Sequence, residues 1–221
     1  MDLEHARHNM VEQQIRPAEV LNQGVLDLLY LVPREDFVPP AYRALAFADI
    51  EIPVAEGDVR GMRMWRPMME ARVLQALTLS KVDRVLEVGT GSGYLSALLA
   101  HRTAHVVSVE IDPALAAIGR RNLERHKARN VTLEIGDAAR GWLSRAPYDV
   151  IVLTGSTPVL PESWFEQLAP GGRLFAVVGE DPVMRAQLIE RTDSGMVRTR
   201  DLFETLLAPL AHCEPVPRFV F

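Results

Sequence analysis

Leu86-Glu87-Val88-Gly89-Thr90-Gly91-Ser92-Gly93-Tyr94 ends an apolar, β-branched run and opens a helical pattern. That change of period predicts a strand over 82–88, a glycine-rich turn, and a helix from 93 to about 101. Glycine lets the backbone turn sharply and lets a ligand approach it closely. The helix beyond offers free N–H groups and the positive end of its dipole. The glycines fall as G-x-G-x-G with Glu87 just ahead of the first, whereas a dinucleotide fingerprint reads G-x-G-x-x-G and faces a pyrophosphate. Glu87 would repel an anion and attract a cationic amino group. The bland alternative is a plain turn between strand and helix.

The same alternation continues on the C-terminal side. Strands are expected over 105–109, 130–135, 148–153 and 173–178, with helices over 113–127 and 161–168. Runs near 184–191 and 196–203, split by Asp193-Ser194-Gly195, read as a hairpin. The pattern implies an α/β fold: a Rossmann-like, mostly parallel sheet with helices on both faces and one antiparallel strand near an edge. In such sheets ligands bind beyond the carboxyl ends of the strands, where strand order reverses.

Residues 1–66 have a different texture. A polar helix is expected over 3–15. A second, over about 18–32, carries Leu21, Val25, Leu28 and Leu29 on one face and stops at Pro33. A short alternating run covers 50–54 and a flexible loop 56–61. Pro67 then opens a helix whose stripe is Met69, Val73, Ala76 and Leu77. Residues 67–221 are read as the ligand-binding core and 1–66 as an N-terminal extension beside the site, the whole forming one compact domain.

The ends of the next two strands carry acids. Glu110 follows the second strand, about 20 residues past the loop, where a carboxylate accepts both ribose hydroxyls. It is otherwise a surface acid. Asp137, in Ile135-Gly136-Asp137-Ala138, accepts from an adenine amino group or merely caps a helix. A ligand with a cationic tail, a nucleoside and no phosphate is S-adenosylmethionine, with its sulfonium and its amino acid. The glycine spacing and Glu87 disfavour a nicotinamide-dependent oxidoreductase.

Composition narrows the classes. The chain has 221 residues and a formal net charge of -5. That opposes a nucleic-acid binder held by phosphate contacts. Cys213 is the only cysteine, and the six histidines lack metal spacing, so no disulfide or metal site is expected. The acidic start Met1-Asp2-Leu3-Glu4-His5 is unlike a signal peptide, and no apolar run reaches bilayer length. A cytoplasmic protein without membrane contact is expected. The apolar tail Pro215-Val216-Pro217-Arg218-Phe219-Val220-Phe221 docks on its own domain or on a second copy, giving a monomer or a homodimer.

With those residues in place, the chain resembles class I methyltransferases, and more narrowly the protein-L-isoaspartate O-methyltransferase family. Met10-Val11-Glu12-Gln13-Gln14-Ile15 is similar to the family's opening helix. Val32-Pro33-Arg34-Glu35-Asp36-Phe37-Val38-Pro39 is similar to its VPRExFVP segment, and the Leu86–Tyr94 stretch to its nucleotide loop. Pro158 sits like the proline of its TAAAP stretch, and Leu168-Ala169-Pro170-Gly171-Gly172-Arg173-Leu174 resembles LKPGGRL. The resemblance implies a seven-stranded sheet with the last strand inserted antiparallel. It implies that Glu110 with Ile111 holds ribose, and Asp137 with Ala138 holds adenine. Glu87, Gly89, Thr90, Gly91, Ser92, Gly93 and Tyr94 would hold the methionine part. It further implies repair-type methylation of a carboxylate in damaged protein or peptide.

The chain departs from the family's GQTIS-x-P segment. It reads Gly61-Met62-Arg63-Met64-Trp65-Arg66-Pro67, so Trp65 stands at the serine's place and Arg63 at the threonine's. A small hydroxyl has become an indole that fills or reshapes the acceptor pocket. Arg63, Trp65 and Arg66 are therefore the acceptor-site candidates, an arginine being suited to clamp a carboxylate, with solvent-facing arginines on a loop as the bland alternative. Met62, Met64, Met68 and Met69 line that pocket or pack as core. Two readings stay beside the leading one: a small-molecule carboxylate as acceptor, or a module that holds the nucleoside without catalysis.

Overall fold

The computed structural model describes residues 2–57 and 62–213. The chain begins with α1 (Leu3–Asn9), which continues through a wider π-helical turn at Met10–Ile15. It then forms α2 (Gln23–Leu31), β1 (Ile52–Pro53), β2 (Arg63–Met64) and α3 (Pro67–Leu77). The main alternation follows as β3 (Arg84–Val88), α4 (Tyr94–Arg102), β4 (His105–Glu110), α5 (Pro113–Arg125) and β5 (Val131–Ile135). The chain ends with β6 (Tyr148–Thr157), α6 (Ser163–Glu166), β7 (Leu168–Glu180), β8 (Val183–Arg191) and β9 (Val197–Thr205).

Local chemistry sets the boundaries. Asn22 and Asp112 cap α2 and α5 by accepting from Val25 N–H and Ala114 N–H. Pro67 and Pro113 stand in the first turns of α3 and α5, where their missing N–H is not needed. Thr78, at φ 48°, stops α3.

Seven strands form one sheet in the order β5-β4-β3-β6-β7-β8-β9. The first five are parallel to one another, while β8 is antiparallel to both β7 and β9. The expected α/β sheet with one antiparallel strand is present. Its reversed strand is corrected: the penultimate strand, not the last, is the antiparallel one, and β9 takes the edge. The cause is connectivity, because β7 turns directly into β8 through Asp181-Pro182 and each strand then pairs with its sequence neighbour.

The sheet is clothed unequally. On one face Val85, Val106, Val150, Val152, Phe175 and Val177 join α3, α4, α5 and the N-terminal segment in one core. Met10, Val25, Leu29 and Phe37 belong to that core, so residues before 66 share it with residues after. On the other face Leu86, Val88, Val107, Val109, Ile151 and Leu153 form a second core with Tyr148 and Leu168 of the same sheet and Trp164 of α6. Helix α6 is only Ser163–Glu166, shorter than the expected 161–168, because Leu168 already starts β7.

The helix over 3–15 is not the polar helix expected from its sequence. Met10, Val11 and Ile15, in the widened turn, are fully buried in the core. Helix α2 starts at Gln23 rather than 18, which leaves Leu21 outside it and 69% exposed. Gly61, part of the loop over 56–61, and the tail from Pro215 to Phe221 lie outside the described residues.

Candidate active site

Strand order reverses between β3 and β6, the strand that lies on the other side of β3 from β4. At the carboxyl ends there, a cavity of about 280 Å³ opens. The loop after β3 forms its floor. Gly89 has φ 97°, and a Cβ at that residue would lie 2.0 Å from Thr154 Oγ1, so only glycine fits. Thr154 Oγ1 donates to Val88 O at 2.7 Å, which ties the loop to the end of β6. Gly93, at φ 81°, precedes α4, and a Cβ there would press on Gly119 O at 3.1 Å and Leu123 Cγ at 3.2 Å.

Glu110 lines the cavity and is 5% exposed. Its Oε2 accepts from Gly91 N–H at 2.9 Å and its Oε1 from Asp112 N–H at 3.1 Å. Each oxygen keeps a lone pair for a further donor. Ile111 stands next on the wall. Asp137 and Ala138 line it at the end of β5. Asp137 accepts from Ala139 N–H at 2.9 Å and meets His212 Nδ1 at 2.7 Å. The backbone bond from Ala139, then His212, hold its carboxyl below the usual value.

Glu87 is placed differently from the expectation. It sits inside β3, one residue before the strand ends, so its side chain alternates with Leu86 and Val88 onto the face covered by α4. The parallel register sets it opposite Ser108. Its Oε2 accepts from Ser108 Oγ at 2.6 Å and from Ser96 Oγ, and Thr90 Oγ1 meets Ser108 Oγ at 2.6 Å. The side chain is fully buried, and burial pushes its carboxyl up to about 8. Glu87 is absent from the cavity walls, whereas Gly89, Thr90, Gly91, Ser92 and Tyr94 are on them.

The segment before α3 closes the other side. Trp65 lines the cavity and is 6% exposed. Its Nε1–H donates to Thr154 O at 2.9 Å, and its ring meets Phe175 edge-on at 5.8 Å. Met62, Arg63 and Met64 line the same wall. Arg66 is exposed and is not among the lining residues, while Met69 packs in the core. Met68 is half-buried and off the wall.

Several wall residues escaped the sequence reading. Glu70, in the first turn of α3, is one; a Pro-x-x-Glu start reads equally well as ordinary helix-end chemistry. Leu207 to Ala211 are others. That strap crosses the strand ends because Ser156 N–H donates to Ala208 O, Leu210 N–H donates to Ser156 O, and Ser156 Oγ donates to Leu207 O, at 2.8–2.9 Å. Nothing in its local sequence signals this tertiary pairing.

Among the described residues, no group of His, Cys, Asp and Glu is arranged to hold a metal, and no helix is long and apolar enough to cross a membrane.

The family model for protein-L-isoaspartate(D-aspartate) O-methyltransferase matches residues 5–214. A protein-L-isoaspartate O-methyltransferase of Aeropyrum pernix is 39% identical over 93% of this chain and 79% of its own. One of Gloeobacter violaceus is 37% identical over 93% of this chain and 98% of its own. A solved protein-L-isoaspartate O-methyltransferase superposes with a TM-score of 0.81 at 27% identity, covering 92% of this chain and 65% of that one. A Plasmodium falciparum structure assigned to the same activity, in complex with S-adenosyl-L-homocysteine, superposes with a TM-score of 0.76. It covers 95% of this chain and 98% of its own, and at 20% identity it bears on the fold alone.

Proposed function

The chain belongs to the protein-L-isoaspartate(D-aspartate) O-methyltransferase family, and from that premise we propose how its cavity serves S-adenosylmethionine-dependent methylation of isoaspartyl carboxylates in protein. The observation that carries this reading is the charge on the walls. Glu51, Glu70, Glu110 and Asp137 line the cavity, against Arg63 as the one arginine or lysine among the described lining residues. A phosphate-bearing dinucleotide would meet that field unfavourably, while a sulfonium with an ammonium tail suits it.

The residues present fit that nucleoside. Glu110 would hold the ribose hydroxyls, since each oxygen already takes a single backbone N–H. Asp137 and Ala138, one strand further out, would frame the adenine. The loop from Gly89 to Gly93 would lie under the methionine part, close-packed because it lacks side chains at three positions.

S-adenosylmethionine supplies an electrophilic methyl group when bound. An isoaspartyl carboxylate is ionised at neutral pH and needs no general base. The chain's work is therefore to align and to exclude water, which contributes roughly 7–11 kcal/mol where geometry is good. Trp65, fixed by Thr154 and Phe175, forms a rigid apolar wall that keeps water out. Arg63 would orient the acceptor carboxylate from the rim. Arg66, off the wall, has no such part.

The test uses methyl-labelled S-adenosylmethionine with an isoaspartyl peptide and its normal aspartyl twin. Base-labile label on the isoaspartyl peptide alone is the expected result. Equal labelling of both peptides, or of neither, refutes the reading.

A further inference from the structure

The sequence gives the cofactor's amino group to Glu87, yet strand register turns that carboxylate under α4. A different buried acid stands on the wall. Glu70 is 2% exposed and lines the cavity with Trp65 and Tyr94. Its Oε2 accepts from Arg34 Nη1. Among the described residues, Oε1 makes no hydrogen bond. Arg34, 1% exposed, also donates from Nη2 to Trp65 O at 2.5 Å and lies 5.1 Å from the centre of the Tyr94 ring. One guanidinium thus fixes the acid from behind and the Trp65 backbone beside it.

Strand order says which part of the ligand this acid meets. With adenine at the end of β5 and ribose at Glu110 on β4, the amino-acid part extends toward β3 and β6. Thr154, Trp65 and Glu70 stand at that end. Resting on the nucleoside reading above, we propose that Glu70 binds the ammonium group of the cofactor's methionine part, with Arg34 as its positioning residue. A buried carboxylate in one ion pair still needs hydrogen-bond donors for its remaining lone pairs, and here Arg34 reaches only Oε2. Burial accordingly pushes the Glu70 carboxyl up to about 7 in spite of Arg34. An arriving ammonium supplies the second partner, and Trp65 and Tyr94 give it aromatic surroundings that favour a cation.

The simpler role is structural: Glu70 merely neutralises Arg34. Calorimetric titration of the full chain with two ligands separates the roles. S-adenosylhomocysteine carries the ammonium; 5′-methylthioadenosine has the same nucleoside and sulfur without it. Glu70→Gln should bind S-adenosylhomocysteine about ten- to a hundredfold more weakly and bind 5′-methylthioadenosine as the parent does. An Arg34→Met, Glu70→Met double variant removes both charges at similar volume, keeps the fold if the single change does not, and should show the same selective loss. Equal loss for both ligands, or unchanged S-adenosylhomocysteine binding, overturns the assignment. If the parent protein binds neither ligand, the nucleoside reading itself falls.

Discussion

Replacing Gly89 by alanine should destabilise the protein in a way that Thr154 largely sets. The new Cβ would lie 2.0 Å from Thr154 Oγ1, with Thr154 Cβ next at 3.4 Å. Relieving that overlap costs about 2 kcal/mol, as overpacking generally does. Holding a non-glycine residue at φ 97° adds about 2 kcal/mol. Gly89→Ala should therefore cost about 4 kcal/mol. Thr154→Ala alone loses the hydroxyl's bonds to Val88 O and Gly89 O, costing about 1 kcal/mol. In the double variant the overlap is gone, because only an ordinary contact with Cβ remains. The backbone strain persists, so its cost should be about 3 kcal/mol rather than 5, an interaction energy near 2 kcal/mol. Urea unfolding of the four proteins without ligand measures this directly. Additivity to within about 0.5 kcal/mol would refute the claim that Thr154 is what forbids a side chain at Gly89.

Three further outcomes follow from the site. Trp65→Phe keeps a ring but leaves Thr154 O without its donor, so it should lose about 1–2 kcal/mol in the same unfolding assay; parent-like stability would show that the indole is not anchored. Arg63→Ala should raise the KM for an isoaspartyl peptide several-fold and leave S-adenosylhomocysteine affinity alone, while Arg66→Ala changes neither; equal effects at both positions would remove the assigned role of Arg63. Glu87 is held up to about 8 from an ordinary 4.5 by burial, so the folded state keeps a proton that the unfolded chain releases. Its contribution is full below pH 4.5 and is lost as pH rises through about 8. The stability of Glu87→Gln relative to the parent should therefore climb over that window, by at most about 1.4 kcal/mol per pH unit, and a flat difference would exclude a raised Glu87.

Much of the fold was legible because its signals are local. Short apolar, β-branched runs marked β3 through β6 and the middle of β7, and the Asp193-Ser194-Gly195 break marked the final hairpin. That Gly89, Glu110 and Asp137 share one cavity wall was legible because they follow successive strands, whose carboxyl ends converge there. Glu87 went astray for a reason visible in the sequence: a residue still inside the strand obeys its alternation, and Leu86 and Val88 already claim the other face. Glu70 and the strap from Leu207 to Ala211 were not legible. Their places depend on long-range packing, on Arg34 in one case and Ser156 in the other. The burial of Met10, Val11 and Ile15 depends on tertiary packing in the core they share with α2 and α4, which a short run flanked by polar residues does not reveal.

Because β8 runs against its neighbours, the turn that follows it emerges at the amino ends of the parallel strands, on the side of the sheet remote from the ligand. A Cβ built on Gly195 would meet nothing within 4 Å, so the tip of that turn stands in open space. A fluorophore, a purification tag or an entire inserted domain placed between Asp193 and Gly195 should thus leave nucleoside uptake untouched. The molecule offers a natural handle for surface immobilisation with the mouth of its cavity facing outward.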